Sequence, residues 1–215
     1  RDRDTTFNIG LGADAYDTAK KSDIKQDQSG NIHYGSPGMT SISGSSVTGY
    51  VKLTSSGSID PTFLSTAASA SSTPGAYTIG TTNTGVQSIS IDSSNNAYLF
   101  GNFLNYLTPS SSYLSSSRIT ALDLTQGNIS SPPNFGTGAN AGISFSTTTP
   151  SGDIWLAYTV ASTSGKIYSG SSINNTSSSI KINKQGNLIG QGGFYDSYNF
   201  ITTQPTAIAA QSDNK

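Results

Sequence analysis

The sequence predicts an all-β chain: a β-propeller or partial propeller of about four four-stranded antiparallel blades with long Ser/Thr-rich loops. Three observations lead there. All 12 acidic residues are Asp and none is Glu, Ser and Thr make up roughly three residues in ten, and two kinds of short segment alternate along the 215 residues. Glu is a good helix former, whereas Ser, Thr, Asn and Gly favour caps, turns and strands, so the composition argues against an all-α or helix-rich α/β enzyme.

Taken in order, the chain opens on Asp4-Thr5-Thr6-Phe7, the tail of one element. Ile24 to Tyr34 reads as a hairpin around Ser29-Gly30-Asn31. Val51 to Phe63 reads as a short alternating strand, a polar turn at Gly57, an apolar residue and Asp-x-x-Phe. Val86 to Phe103 is the clearest hairpin, a period-2 strand meeting the polar turn Asp92-Ser93-Ser94-Asn95-Asn96 and then a second strand. Both kinds recur: Ala121 to Ile129 with Phe135, and Lys181 to Leu188 with Phe194, repeat the first, while Ile143 to Tyr158 around Pro150-Ser151-Gly152-Asp153 repeats the second. Thr206 to Lys215 is a half copy that stops at its turn.

Phe7, Phe63, Phe135 and Phe194 set a period of 56 to 72 residues. The excess over compact propeller repeats sits in the inserts 65–84, 108–117 and 162–179, expected as loops on one rim. Residues 1–215 then form a single array, with units at roughly 1–50, 51–118, 119–179 and an incomplete 180–215. A lone four-stranded sheet cannot bury its faces, so neighbouring units must stack, and radial stacking gives a propeller. About three and a half units fall short of a closed ring, so the array is expected to continue into further sequence or to close with another chain.

Gly57-Ser58-Ile59-Asp60-Pro61-Thr62-Phe63, followed by Val86 to Phe103 with its ending Phe100-Gly101-Asn102-Phe103, resembles the delta-60 repeat family. Its repeats carry a Gly-Ser-apolar-Asp-x-x-Phe element and an apolar hairpin closing in Gly-x-Phe. The other copies depart from this: Ser130 and Gly190 stand at the Asp position, and Thr159-Val160 replaces the Gly-x-Phe ending. The resemblance implies propeller blades of secreted or surface proteins or of phage structural proteins, with no shared catalytic residue.

The net charge of -1 and pI near 5.6 argue against nucleic acid as the partner, because Lys20, Lys21 and Lys25 are interleaved with Asp17, Asp23 and Asp27. No apolar run approaches the roughly 20 residues of a membrane helix, so no membrane insertion is expected. The small polar surface points to an extracellular, cell-surface or virion location. With one His and no Cys, the usual triads, zinc sites and thiol chemistry are absent. His33 is expected as a half-exposed strand residue. Asp27, Asp92, Asp153 and Asp213 flank hairpin turns and Asp60 precedes Pro61, so turn chemistry outweighs a glycosidase-type carboxylate pair. The clusters Asp92 to Asn96 and Asp23 with Asp27 offer oxygens to Ca²⁺ but lack fixed ligand spacing, and no cofactor is expected.

Tyr106, Tyr113, Tyr168, Tyr195 and Tyr198, in or beside the inserts, are the candidate ligand or partner contacts, since Tyr presents apolar area and a hydroxyl at small entropic cost. Trp155 is expected to pack in the core. The function expected is a non-enzymatic structural or assembly module of a virion, tail fibre or cell-surface appendage, binding neighbouring chains through loops and sheet edges. The alternative is an adhesin or lectin-like propeller whose rim tyrosines contact carbohydrate.

Overall fold

The computed structural model describes residues 6, 8, 10, 12–13, 21–63, 75–77, 85–103, 105–107, 113–115, 118–123, 143–158, 179–183, 188–192, 195–196, 199–200 and 209. These are all-β, with one short 3-10 turn at Pro61–Phe63 and no α-helix among them. The strands are β1 Asp23–Gln26, β2 Ile32–Gly35, β3 Ser41–Ile42, β4 Ser45–Ser46, β5 Tyr50–Leu53, β6 Gly75–Tyr77, β7 Gly85–Ile91, β8 Asn96–Asn102 and β9 Asn105–Leu107. They continue as β10 Tyr113–Ser115, β11 Ile119–Asp123, β12 Ile143–Thr148, β13 Ile154–Tyr158, β14 Ser179–Ile182, β15 Leu188–Gly192, β16 Tyr195–Asp196 and β17 Asn199–Phe200.

Three antiparallel sheets repeat one meander, in the orders β1-β2-β5, β7-β8-β11 and β12-β13-β14-β15. All three expected hairpins form: β1 with β2, β7 with β8, and β12 with β13. Each sheet takes its first two strands from one sequence unit and its third strand from the start of the next, so that consecutive units interlock through backbone hydrogen bonds. In the first sheet, an isolated bridge between Leu53 and Ile59 begins a fourth strand.

One turn type builds these meanders. At Asp27–Asn31, Thr54–Ser58, Asp92–Asn96 and Thr149–Asp153, the first N–H donates to the fifth carbonyl and the fourth N–H donates to the first carbonyl. The fourth residues, Gly30, Gly57, Asn95 and Gly152, have φ of 81°, 92°, 64° and 87°. This is the three-residue hairpin loop, a type I turn followed by a left-handed residue, where Gly and Asn carry the least steric penalty.

The sheets stack face to face. Side chains alternate between faces, and in the first sheet the rows Asp23-Gly35-Tyr50 and Lys25-His33-Lys52 face the second sheet. Tyr50 packs there with Val86, Ile89, Ala97, Leu99, Phe103 and Leu122. A Cβ on Gly35 would stand 2.6 Å from Val86 Cγ1, so the close approach of the two sheets requires glycine. The opposite face of the first sheet, through Val51 and Leu53, carries a second core with Met39, Ile42 and Val47 from the connection between β2 and β5. Among the described residues the stack is open, and the third sheet does not return to the first.

Two of the three inserts differ from the expected plain rim loops, while 162–178 of the third lie outside the described residues. Insert 65–84 contains β6 and insert 108–117 contains β10, and these join β9 in a small sheet of order β10-β9-β6. The pairing partner of β6 is 30 residues away in sequence, Tyr77 with Asn105 lying at its near end. A three-residue strand gives no periodic signal of its own, so the pairing is set by tertiary context.

Candidate functional site

The chemistry-bearing side chains gather at the turn end of the stacked sheets and along the first strands. At the first turn, Asp27 Oδ1 accepts from the Ser29 and Asn31 N–H groups at 2.9 and 2.8 Å, and Oδ2 accepts from Asn31 Nδ2 at 2.9 Å. The second turn is built identically: Asp92 Oδ1 accepts from Ser94 and Asn96 N–H, each at 2.9 Å, and Oδ2 accepts from Asn96 Nδ2 at 3.0 Å. In both, the side chain six residues on reaches back to Oδ2. It is His33 Nε2 at 3.3 Å in the first and Tyr98 Oη at 3.0 Å in the second. The third turn replaces Asp by Thr149, whose hydroxyl meets Ser151 Oγ at 2.9 Å. There Asp153 pairs instead with Lys181 at 3.2 Å.

His33 is fully buried, at 0% exposure, which corrects the half-exposed position expected for it. Its face is the one that packs on the second sheet, and an alternating strand covered on both sides has no wet face to offer. Nδ1 lies 2.7 Å from Tyr50 Oη, giving a chain Tyr50-His33-Asp27. Burial pushes the His33 imidazole down to about 4, although the Asp27 carboxylate opposes the shift. Burial raises the Asp27 carboxyl, but hydrogen bonds from Asn31 and His33 outweigh it and leave it below the ordinary carboxylate value. An ionised carboxylate only accepts, so the network assigns the His33 proton to Nε2, and Nδ1 accepts from the Tyr50 hydroxyl. The chain has the connectivity of a catalytic relay. Tyr50 is 3% exposed, however, and a relay with no accessible end holds a core together rather than attacking a substrate.

Lys52, the cross-strand neighbour of His33, is buried and pairs with Asp60 at 2.9 Å. Burial raises the Asp60 carboxyl, and bonds from Thr62 and Lys52 more than offset that, so it lies below its usual value. Asp60 Oδ1 also accepts from Thr62 N–H at 2.9 Å, the side-chain-to-backbone turn bond expected of an Asp preceding Pro61. The Tyr98 hydroxyl is pushed up by burial and by the Asp92 charge.

The sheets are joined by a contact that the sequence did not advertise. Asp23 Oδ2 accepts from Ile89 N–H at 2.8 Å, from the first strand of one sheet to the first strand of the next. One sheet further along, Ser88 Oγ accepts from Ser146 N–H at 2.8 Å, in the same relative position. Ser146 Oγ also meets Ser88 and Ser90 Oγ at 2.9 and 2.8 Å. The available signal was Ser at alternating positions of a strand, Ser88 and Ser90, where an apolar inward face was the default.

Of the candidate contact tyrosines, Tyr106 lies in β9, Tyr113 in the adjacent β10 and Tyr195 in β16. Register places Tyr106 opposite Leu114 and Tyr113 opposite Leu107. Tyr168, Tyr198 and Asp213 lie outside the described residues, as does the side chain of Trp155 in β13. Among the described residues no three His, Asp or Glu side chains gather as metal ligands, and the oxygens of Asp92 are engaged by turn donors and Tyr98. No family model matches this chain, and the comparisons with curated proteins and with solved structures return no match.

Proposed function

We propose that the chain is a non-enzymatic structural module of an extracellular, cell-surface or virion assembly, built as a β-propeller or partial propeller that binds neighbouring protein chains. One observation carries this reading: meanders of one design stack face to face, joined by a recurring bond from a side chain of one sheet to the backbone of the next. A repetitive stack presents the same faces again at its ends, which suits assembly. The use of His33, Tyr50, Asp27 and Asp92 in buried networks supports a role without catalysis.

Imaging of the purified protein and of its source material tests the reading. Incorporation into a particle, fibre or surface filament is the expected result. A free monomer that binds a glycan array, with binding lost on Tyr106→Ala or Tyr113→Ala, would favour the carbohydrate-binding propeller. Glycan hydrolysis abolished by a single Asp substitution would sink the non-enzymatic reading.

A further inference from the structure

The two joints between sheets are built from different chemistry. At the first, Asp23 Oδ2 accepts from the Ile89 N–H at 2.8 Å and from the Ser88 hydroxyl at 3.2 Å, so a carboxylate holds the contact. At the second, the bonds run among Ser88, Ser90 and Ser146, none of which titrates. Tyr98 shares that face with Ser90 by register, and burial together with the Asp92 charge pushes its hydroxyl up, so it keeps its proton.

His33 lies behind the first joint, in the row Lys25-His33-Lys52 that faces the second sheet. The elements packed most closely on its strand are β1, β5 and β7. From β1 come Lys25 and Asp23, paired at 3.4 Å, and from the turn comes Asp27. From β5 come Tyr50 and Lys52, the latter paired with Asp60 at 2.9 Å. On the other side of the joint, β7 carries no titratable residue, and Ile89, Ala97, Leu99 and Leu122 make a buried apolar surface. A proton added to the ring would set three cations in a row against hydrocarbon. It would also turn Nδ1 from an acceptor of the Tyr50 hydroxyl into a donor.

We propose that the first joint is an acid-sensitive hinge: as pH falls from 7 toward 5 the first sheet parts from the second, while the second and third stay joined. Parting gives the imidazole water, in which it ionises at its ordinary value near 6.5 rather than at about 4 as in the closed joint. Opening therefore takes up a proton between those values, and its equilibrium constant should rise about twentyfold from pH 7 to pH 5. The hinge needs no partner, so it stands or falls apart from the assembly reading.

Native-state hydrogen exchange, corrected for the intrinsic dependence of exchange on pH, tests it. The Ile89 amide reports the first joint and the Ser146 amide the second. Protection of Ile89 is expected to fall at least about tenfold from pH 7 to pH 5, while that of Ser146 changes less than about twofold. In His33→Gln, which has no titrating ring, the Ile89 loss should disappear. Equal falls at both amides, no fall at Ile89, or a fall that persists in His33→Gln each overturn the proposal. His33 is the one histidine of the chain, so its ring resonances give a second reading in the native protein. A ring still neutral at pH 5 in the folded chain supports the hinge, and one that titrates near 6.5 overturns it.

Discussion

At the scale of single residues, the buried carboxylate networks make the chain sensitive to acid. His33 titrates near 6.5 when unfolded and at about 4 when folded, so between these values the unfolded chain binds more protons. Stability from the neutral imidazole is complete above about pH 6.5 and is lost as pH falls toward 4, by up to about 3 kcal/mol. Asp27, held below its usual value, adds to the loss in the same direction at lower pH. Urea unfolding from pH 7.5 to 4.5 should therefore show a falling midpoint in the native chain and a flatter profile in His33→Gln; equal slopes would refute the assignment. The second turn offers a cleaner energetic test. Asp92→Ala removes the acceptor shared by the Ser94 and Asn96 N–H groups and the buried Tyr98 hydroxyl and should cost about 3 kcal/mol, whereas Tyr98→Phe, which leaves the turn bonds in place, should cost only about 1 kcal/mol. The Asp side of this chemistry was legible in the sequence, because Asp followed by Ser, Gly and Asn between alternating strands announces a turn. The partners six residues on were not. His33 and Tyr98 look like ordinary outward strand residues until a neighbouring sheet covers them.

At the scale of elements, hairpins were readable and sheets were not. The strand pairs β1 with β2, β7 with β8 and β12 with β13 are local, with period-2 patterns flanking one turn type, so the residues that specify them are contiguous. The β6-β9-β10 sheet joins three-residue strands across inserts whose composition reads as loop, and only packing decides it. Close approach between sheets left a single trace in the sequence, glycine in mid-strand. Gly35 illustrates its cost. An added methyl would meet Val86 Cγ1 at 2.6 Å and Cβ at 2.8 Å, so Gly35→Ala should destabilise the chain by about 1 to 3 kcal/mol through overpacking. Val86→Ala alone should cost about 1 to 2 kcal/mol for its lost burial, Val86 being 0% exposed. In the double variant the Cγ1 clash is gone although the Cβ at position 86 remains at 2.8 Å, so the double variant should cost less than the sum of the two single penalties by about 1 kcal/mol. Additive losses in a thermal or urea cycle would place the strain somewhere other than this contact.

For the molecule as a whole, repetition makes stability a matter of position in the stack. The second sheet has a neighbour on each face, and Ile89, Leu99 and Phe100 are each 0% exposed, while the first sheet leaves Ile24 open. In a stacked array, stability is close to a sum of intrinsic terms and nearest-neighbour joints, so the middle member opens last. Native-state hydrogen exchange should find the Leu99 and Phe100 amides slowest. Ile24, whose N–H donates in an exposed bond to Oδ1 of the preceding Asp23, should exchange at least about a hundredfold faster. Ser88→Ala makes the test specific. It strips the acceptor from the Ser146 N–H at the joint between the second and third sheets, at a cost of about 1 to 3 kcal/mol, whereas at the first joint it removes only the longer Ser88 hydroxyl bond to Asp23 Oδ2, at 3.2 Å, and leaves the Ile89 N–H bonded to that carboxylate at 2.8 Å. Exchange should then quicken in β12 well before it does in β1. Equal acceleration of every amide would mean that the three sheets unfold as one cooperative unit, and the joints would then be local decoration on a core that does not separate along them.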